Sequence, residues 1–337
     1  MIIDAYTHML PKKYQDALEK KVTGRDMRLS TARYAKSVPT LLDLEARFRI
    51  MDAFEDYIQV VSVASPPIYA IASADVAVEL CRIANDELAE LVQKYPNRFA
   101  AGIATLPMTN VDAALDEAER AIKDLRLRAV ELGSDIAGKP LDSPEFIPLY
   151  EKMVELDRPI FIHPVREMNI PDYAGEELSK YRAWTKLGWP FATGLAMTRL
   201  VCGGVMERFP ALKIITHHCG GIIPFLAGRL DWNDDFNEMA MGYRDLYLKA
   251  DALTYYRRFF YDTAVNGHTA ALLCGLSFVG LDQMVFATDF PFDNQMGRRL
   301  IRDTIASVER LGLCEEDKKR LYRSNAVKLL RLPLGTF

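Results

Sequence analysis

The sequence predicts an α/β protein built as a single closed (β/α)8 TIM barrel, and two observations lead to this prediction. Eight short apolar runs, rich in β-branched residues, recur along the 337 residues, as expected of strands buried on both faces of a parallel sheet. Amphipathic segments of helical period separate these runs, and such alternation is typical of a barrel. A doubly wound open sheet is the alternative, but the Gly-rich turn that often follows its first strand is absent.

The apolar runs give the positions of the eight strands, and the amphipathic segments give those of the clearest helices. The predicted strands are residues 2–6, 58–64, 99–106, 127–132, 158–163, 212–218, 258–264 and 283–289. The predicted helices are 73–96, 110–125, 143–156 and 315–330, with Asn110 as an N-cap. The sequence contains no repeat or linker, so we expect one domain over residues 1–337.

Three connections are longer than a barrel needs. They span residues 9–40, 164–195 and 232–256, after strands 1, 5 and 6. Long loops that follow the strands lie at the C-terminal mouth, where barrels of this type place their active sites. The lengths of these loops therefore predict an active site at that mouth.

Composition excludes several classes of function. The formal net charge of -4 gives no electrostatic reason to expect a nucleic-acid partner. No apolar run approaches the roughly 18 residues that span a bilayer, and the N-terminus has no signal-peptide pattern. The five cysteines form no CxxC pair, which favours a reducing compartment. The composition therefore predicts a cytoplasmic protein without a nucleic-acid or membrane partner.

Polar residues with metal-ligand chemistry collect where predicted strands end. His8 follows the first strand, His163 ends the fifth, His217 and His218 end the sixth, and Asp289 ends the eighth. Taken singly, each has a structural explanation, such as a satisfied buried histidine or a helix cap. Taken together they converge on one mouth of a barrel, and a set of His and Asp ligands suits zinc or another divalent first-row metal.

Seven segments carry a resemblance to a known family. They are IDAYTHMLP, ARFRIMD, YPNRFAAGIATLPM, FIHP, GGVMERFPALKIITHHCGG, PFLAGRLD and VFATDFPF, and they extend from residue 2 to beyond residue 290. On these segments the chain resembles the decarboxylase branch of the amidohydrolase superfamily. That branch includes aminocarboxymuconate semialdehyde decarboxylase and γ-resorcylate decarboxylase.

The resemblance implies roles for five residues. His8, His163 and Asp289 would bind one divalent metal ion, with zinc expected and manganese or iron as alternatives. His218, which matches the family's H-x-G-G histidine, would exchange protons beside the metal, as could Asp289. Arg229 would reach the neighbouring subunit's site to hold a substrate carboxylate, which implies a homodimer or a dimer of dimers.

His217 is predicted not to be catalytic, because relatives have other residues at that position. Alternation along a strand would also point its side chain away from that of His218.

Two features depart from the family pattern. Tyr6 occupies the position of the first strand-one ligand, which is normally His or Glu. Because a phenol is usually protonated, with a pKa of about 10, we expect Tyr6 to hydrogen-bond metal-bound water or substrate rather than ligate the metal. The resemblance also implies a further carboxylate-binding arginine, but neither Arg33 nor Lys36 aligns with it.

The leading functional hypothesis is a metal-dependent decarboxylase, a C–C lyase, of a small aromatic or unsaturated carboxylic acid. The alternative is a metal-dependent hydrolase or hydratase acting on a lactone, amide or unsaturated acid, because the same ligands can activate water. A non-enzymatic binding protein with a decayed site is a third hypothesis. Four aromatic loop residues could flank a planar substrate, namely Trp184, Trp189, Phe191 and Phe292.

Overall fold

The structure of the protein is a computed structural model. It describes residues 1–22, 37–64, 66–242 and 248–334, without the side chains of residues 233, 234 and 237. Arg33 and Lys36, which we considered as carboxylate-binding residues, lie outside the described residues.

Eight parallel strands form the barrel, which confirms the predicted fold class. They pair in chain order, so that each strand lies beside the next one along the sequence. The strands are β1 Ile2–Met9, β2 Tyr57–Val63, β3 Phe99–Thr105, β4 Ala129–Gly133, β5 Ile160–His163, β6 Ile214–Thr216, β7 Phe260–Asp262 and β8 Met284–Val285. A small antiparallel hairpin, Asp135–Ile136 and Lys139–Pro140, follows β4.

Hydrogen bonds between β1 and the segment that directly follows β8 bring the sheet to closure. The Ala5 amide donates to the Phe286 carbonyl, and the His8 amide donates to the Phe290 carbonyl, both at 2.8 Å. The buried carboxylate of Asp4 accepts hydrogen bonds from the amide and hydroxyl of Thr288. The residues that precede Asp289 are therefore fixed directly against β1.

Strand β1 contains one extra residue relative to β2. Asp4 pairs with Gln59 and Thr7 pairs with Val61, so three steps along β1 match two steps along β2. This bulge resets the alternation of side chains. Ile3 in the lower half and His8 in the upper half consequently face the same side of the sheet.

Helices surround the barrel, and most follow a strand. They are α1 Lys12–Lys21, α2 Leu44–Met51, α3 Ile68–Ile71, α4 Ala74–Lys94, α5 Val111–Lys123, α6 Ile147–Leu156, α7 Trp189–Cys202, α8 Val205–Arg208, α9 Ile223–Met241, α10 Ala252–Tyr256, α11 Thr269–Val279, α12 Arg298–Glu309, α13 Glu315–Lys319 and α14 Asn325–Leu330. Single turns of 3-10 helix lie at Pro39–Leu41, Pro144–Phe146 and Leu281–Gln283, and π-helical turns lie at Trp184–Gly188 and Arg320–Ser324. Asn110 caps α5 as predicted, since its side chain accepts from the Ala113 amide at 3.1 Å.

Two apolar cores are separated by the sheet. The larger core fills the space between the strands and the surrounding helices. The smaller core lies inside the barrel, and it is built from residues such as Val60, Ile103, Phe161 and Ile215. Residues of α14 pack against this inner core. The apolar layer therefore leaves the opposite end of the barrel for polar side chains.

The long connections differ from one another. The connection after β5 contains no helix or strand from residue 164 to residue 182. Parts of the other two long connections, residues 23–36 and 243–247, lie outside the described residues. Within the described segments, no helix combines the length and apolar character needed to cross a membrane.

Candidate active site

Three predicted metal ligands meet at the C-terminal mouth of the barrel. His8 near the end of β1, His163 at the end of β5 and Asp289 after β8 each offer one ligand atom, and these atoms lie within 4.8 Å of one another. His8 Nε2 is 2.9 Å from Asp289 Oδ1, and both histidines are buried. Two imidazole nitrogens and a carboxylate oxygen can hold one divalent first-row ion and leave positions open for water or substrate.

Asp289 is the electrostatic centre of this cluster. Burial alone would raise the pKa of its carboxyl. Hydrogen bonds and positive charge from His218 and His8 outweigh burial and hold that pKa well below its usual range. Burial, together with the neighbouring histidines, lowers the pKa of His163 well below its ordinary value. The cluster thus favours an ionised carboxylate beside a neutral imidazole, the forms that bind metals.

His218 lies beside the three candidate ligands, as the resemblance implies. Its Nε2 is 3.5 Å from Asp289 Oδ2, and 16% of its side chain is exposed. Burial lowers the pKa of His218, but the hydrogen bond and charge of Asp289 raise it above the ordinary value. An accessible imidazole held against a carboxylate can donate or accept a proton at this mouth.

The structure places His217 inside the barrel too. Strand β6 ends at Thr216, before either histidine, so strand alternation does not apply to them. The left-handed backbone of His218, with φ of 56°, turns the chain after His217. The His217 ring packs 3.7 Å from the Tyr6 ring and 5.3 Å from the His163 ring, measured between centroids.

A buried carboxylate contacts His217. The Nδ1 of His217 lies 2.6 Å from Asp262 Oδ2, although their orientation departs from that of a straight hydrogen bond. Burial lowers the pKa of His217, against the opposing charge of Asp262. His217 is therefore held as a neutral ring within the polar layer, which our strand-based interpretation did not anticipate.

Tyr6 faces the barrel interior on the same side as His8, as their spacing predicts. The two rings are 4.7 Å apart between centroids, and Tyr6 is fully buried. Its hydroxyl makes no hydrogen bond of good geometry within the described part of the chain, although Ser62 and Glu131 lie close enough to affect it. Burial, with the charge of Glu131, raises the pKa of Tyr6 well above its ordinary value.

Two neighbouring groups position His8. Ser62 Oγ lies 3.3 Å from His8 Nδ1, so a hydroxyl faces the ring nitrogen opposite the one near Asp289. The buried guanidinium of Arg47 donates to the His8 carbonyl at 2.7 Å and to Thr7 Oγ1 at 2.8 Å. Contacts of this kind fix the ring and the backbone of a metal ligand.

Sequence reasoning missed a carboxylate in the same layer, that of Glu131 on β4. Burial raises its pKa to about 7, while the charge of His8 and the neighbouring hydroxyl groups of Tyr6 and Ser62 oppose this rise. Its side chain keeps partial access to solvent. The sequence signal for its inward orientation is its spacing from Ala129, an inner-core residue. Residues two apart on a strand face the same side.

Aromatic side chains flank the candidate ligands. The Trp189 ring lies 5.5 Å from the His163 ring, and the Phe292 ring lies 5.3 Å from the His8 ring, between centroids. Trp184 packs against Trp189 at 5.6 Å. Phe191 is instead half exposed on α7. Two of the four predicted aromatic residues therefore contact the site directly.

The described structure does not bring Arg229 into this site. The residue is exposed on α9, and no contact of the site described above involves it. Phe225 and Trp232, on the same helix at helical spacing, are also exposed. Arg229 thus lies on an outer surface that carries large apolar side chains.

Comparison with known proteins identifies the family. The sequence pattern of the family described as amidohydrolase matches residues 3–332. The chain belongs to the amidohydrolase family. It is 32% identical to a gamma-resorcylate decarboxylase of Polaromonas sp. strain JS666, over 87% of this chain and 89% of the relative. It is 28% identical to the 2-amino-3-carboxymuconate-6-semialdehyde decarboxylase of Dictyostelium discoideum. That alignment covers 98% of this chain and 91% of the relative.

A solved structure extends this amidohydrolase comparison. The crystal structure of a dihydroxybenzoic acid decarboxylase from Polaromonas sp. JS666 superposes with a TM-score of 0.80 and 27% identity, covering 99% of this chain and 98% of that one. That crystal contains manganese and an inhibitor, 2-nitroresorcinol. The comparisons confirm the resemblance on which the site assignment depends.

Proposed function

We propose that this amidohydrolase is a metal-dependent decarboxylase, a carboxy-lyase, of a small aromatic carboxylic acid. The observation that carries the proposal is the convergence of His8, His163 and Asp289 within 4.8 Å at the barrel mouth. Named decarboxylases among its relatives and structural neighbours support the reaction type. An unsaturated acid is the other substrate class that these relatives leave open.

His8, His163 and Asp289 would hold one divalent metal ion. The ligand set suits zinc, and manganese is present in the related crystal structure. Bound there, such an ion would withdraw electron density from a substrate oxygen next to the leaving carboxylate. We expect Tyr6 to stand beside the ion, because burial and nearby carboxylates favour its protonated hydroxyl.

Decarboxylation needs a proton at the carbon that loses CO2. The C–C bond breaks, its electron pair stays on the ring carbon, and a proton must reach that carbon. His218 is the group we assign to this step, because it is accessible and lies 3.5 Å from Asp289. Asp289 orients the imidazole and stabilises its protonated form. Trp189 and Phe292 present flat apolar surfaces beside which a planar acid can lie.

A homodimer, or an assembly of dimers, is part of the proposal. The large apolar side chains exposed on α9 support an interface there, because subunit interfaces are richer in aromatic residues and methionine than the rest of a protein surface. Arg229 on the same helix would hold a substrate carboxylate in the partner's site. A cytoplasmic location stays a prediction.

The proposal is tested by product analysis of purified protein with known metal content. A panel of hydroxybenzoates and muconate-like acids is offered, and release of CO2 is measured with and without a chelator. We expect CO2 from at least one acid, loss of activity in the chelator, and recovery on addition of manganese or zinc. Incorporation of labelled oxygen from water without CO2 would instead indicate a hydrolase or hydratase.

A further inference from the structure

Glu131 occupies a defined place on the inner face of the barrel. On β4 it pairs with Phe161 of β5, an inner-core residue, while Thr105 of β3 is its partner on the other side. Because paired residues of neighbouring parallel strands face the same side, Glu131 faces inward. Glu131 precedes Gly133 by two residues on β4, and Gly133 pairs with His163. Glu131 therefore lies one inward-facing position deeper in the barrel than His163.

The carboxylate faces the site from the side opposite Asp289. In the barrel order, the fourth and eighth strands lie across from each other, with His8 and His163 on the two strands that follow them. Hydroxyl groups of Tyr6 and Ser62 lie next to Glu131. No lysine or arginine in the described part of the chain forms an ion pair with it. Within the described residues, His8 is therefore the basic side chain whose charge acts on Glu131, and the carboxylate faces the site without a lysine or arginine beside it.

A cleft opens beside Glu131. It is narrow, with room for about one water molecule, and its walls include Thr105, Tyr69 and Leu132. Gly133 keeps this region compact, because a Cβ there would lie 2.3 Å from the Tyr69 hydroxyl oxygen. Apart from Glu131, the cleft is lined by neutral residues. Glu131 is therefore the one charged group among the described residues that line this cleft.

We propose that Glu131 is a specificity-determining residue that contacts substrate. It accepts a hydrogen bond from a hydroxyl or amino substituent of the aromatic acid and repels a second carboxylate. A ligand binds less tightly if it covers this partly buried acceptor without donating a hydrogen bond to it, and less tightly still if it places a second negative charge beside it. The substrate class is therefore a monocarboxylic acid with a hydrogen-bond donor on its ring. This inference rests on the proposed function.

The test measures binding rather than turnover, so it stays informative if decarboxylation is not observed. Two nitrophenol probes are titrated into metal-loaded protein at about pH 8, where the carboxyl is ionised. One is 2-nitroresorcinol, which has two hydroxyl groups and no carboxylate. The other is 4-hydroxy-3-nitrobenzoate, which has one hydroxyl and a carboxylate. We expect the wild type to bind the first about tenfold more tightly, or better, which corresponds to about 1.4 kcal/mol.

The decisive variant is Glu131→Gln, which removes the charge at nearly constant size. It is expected to reduce the preference between probes at least about tenfold, since a charged acceptor contributes more than a neutral one, with metal content unchanged. Glu145→Gln is the matched control, because Glu145 is an exposed residue paired with Lys139, and it should keep the wild-type preference.

Two results would overturn the proposal. An unchanged preference in Glu131→Gln would show that this carboxylate does not face the ligand. Loss of metal in that variant would place Glu131 in support of the metal instead. If Glu131→Gln does not fold, Glu131→Ala is used, since it also removes the charge, and an unchanged preference in that variant would equally overturn the proposal.

Discussion

His217 and Asp262 form a buried pair, with Nδ1 of the imidazole 2.6 Å from Oδ2 of the carboxylate. The neighbouring His218 has a different carboxylate, since its Nε2 lies 3.5 Å from Asp289 Oδ2. Each of the two adjacent histidines therefore contacts a different carboxylate, that of Asp262 for His217 and that of Asp289 for His218. His217 is almost fully buried, whereas His218 retains access to solvent. This difference separates their expected roles.

His218→Asn is expected to lower kcat about a hundredfold or more, the usual effect of losing an acid/base group. His217→Asn is expected to lower stability more than kcat, because it leaves the Asp262 carboxylate without its buried imidazole partner. The two variants are compared by steady-state kinetics and thermal melting. A wild-type rate in His218→Asn, or a larger kinetic loss in His217→Asn, would reverse the assignment.

Replacing His163 or Asp289 by Ala is expected to reduce metal content and activity together, because each removes one of three candidate ligands. Metal is counted by elemental analysis after dialysis against a weak chelator. His268→Ala is a suitable control, since His268 caps helix α11 and is not one of the three. Full metal occupancy in both ligand variants would contradict the assignment.

Tyr6→Phe tests whether the phenol binds the metal. We expect metal content to be retained and turnover to fall, because the variant removes only a hydroxyl that would hydrogen-bond water or substrate. Loss of metal would identify Tyr6 as a ligand. No change in either quantity would leave Tyr6 with a packing role against His217 and Phe161.

Arg47→Met is expected to destabilise the protein by about 3 kcal/mol, because buried acceptors lose their donor. Those acceptors are the His8 carbonyl, Thr7 Oγ1 and Gln59 Oε1. Denaturant unfolding measures the loss, and Arg49→Met, which changes an exposed arginine of the same helix, is the control. Equal stability of the two variants would show that the buried contacts are not needed.

Arg229→Ala is expected to weaken substrate binding without altering metal content, if this residue completes the partner's site. Mixing it with an inactive His218→Asn variant should restore some activity, because a mixed dimer contains one intact site. Sedimentation measures assembly in parallel. Full activity of a protein that is monomeric at micromolar concentration would contradict a shared site.

The fold and the three candidate ligands were predictable from sequence for a physical reason. Parallel strands buried on both faces are continuous apolar runs, and their carboxyl ends converge, so residues distant in sequence meet at one mouth. The strand ends bring His8, His163, His217, His218 and Asp289 to that mouth, and the family resemblance marks His8, His163 and Asp289 among them as metal ligands. The extent of the strands was less predictable, since β6 has three residues and ends before His217.

Other parts of the site depend on geometry that no local pattern encodes. The left-handed turn at His218 places two successive histidines in one polar layer. Glu131 lies within an ordinary apolar strand pattern, and only its register beside Phe161 shows that it faces inward. The Arg47 contacts join α2 to β1 across the sequence. The backbone conformation at His218, the register of Glu131 and the contacts of Arg47 are all properties of the folded chain, and sequence patterns do not specify them.

The extra residue in β1 has a consequence for length changes in this strand. In a regular strand, side chains alternate between the two faces, so His8, five residues after the inward-facing Ile3, would face outward. The bulge between Asp4 and Thr7 adds one residue and turns His8 inward. Removal of one residue there would leave a regular strand with His8 still facing inward. Addition of one residue would also leave His8 facing inward, but a regular strand would then carry the imidazole two pairing positions beyond Ser62 and out of the layer of the other candidate ligands. The site therefore tolerates shortening at this point and does not tolerate lengthening, an asymmetry that point substitutions cannot reveal.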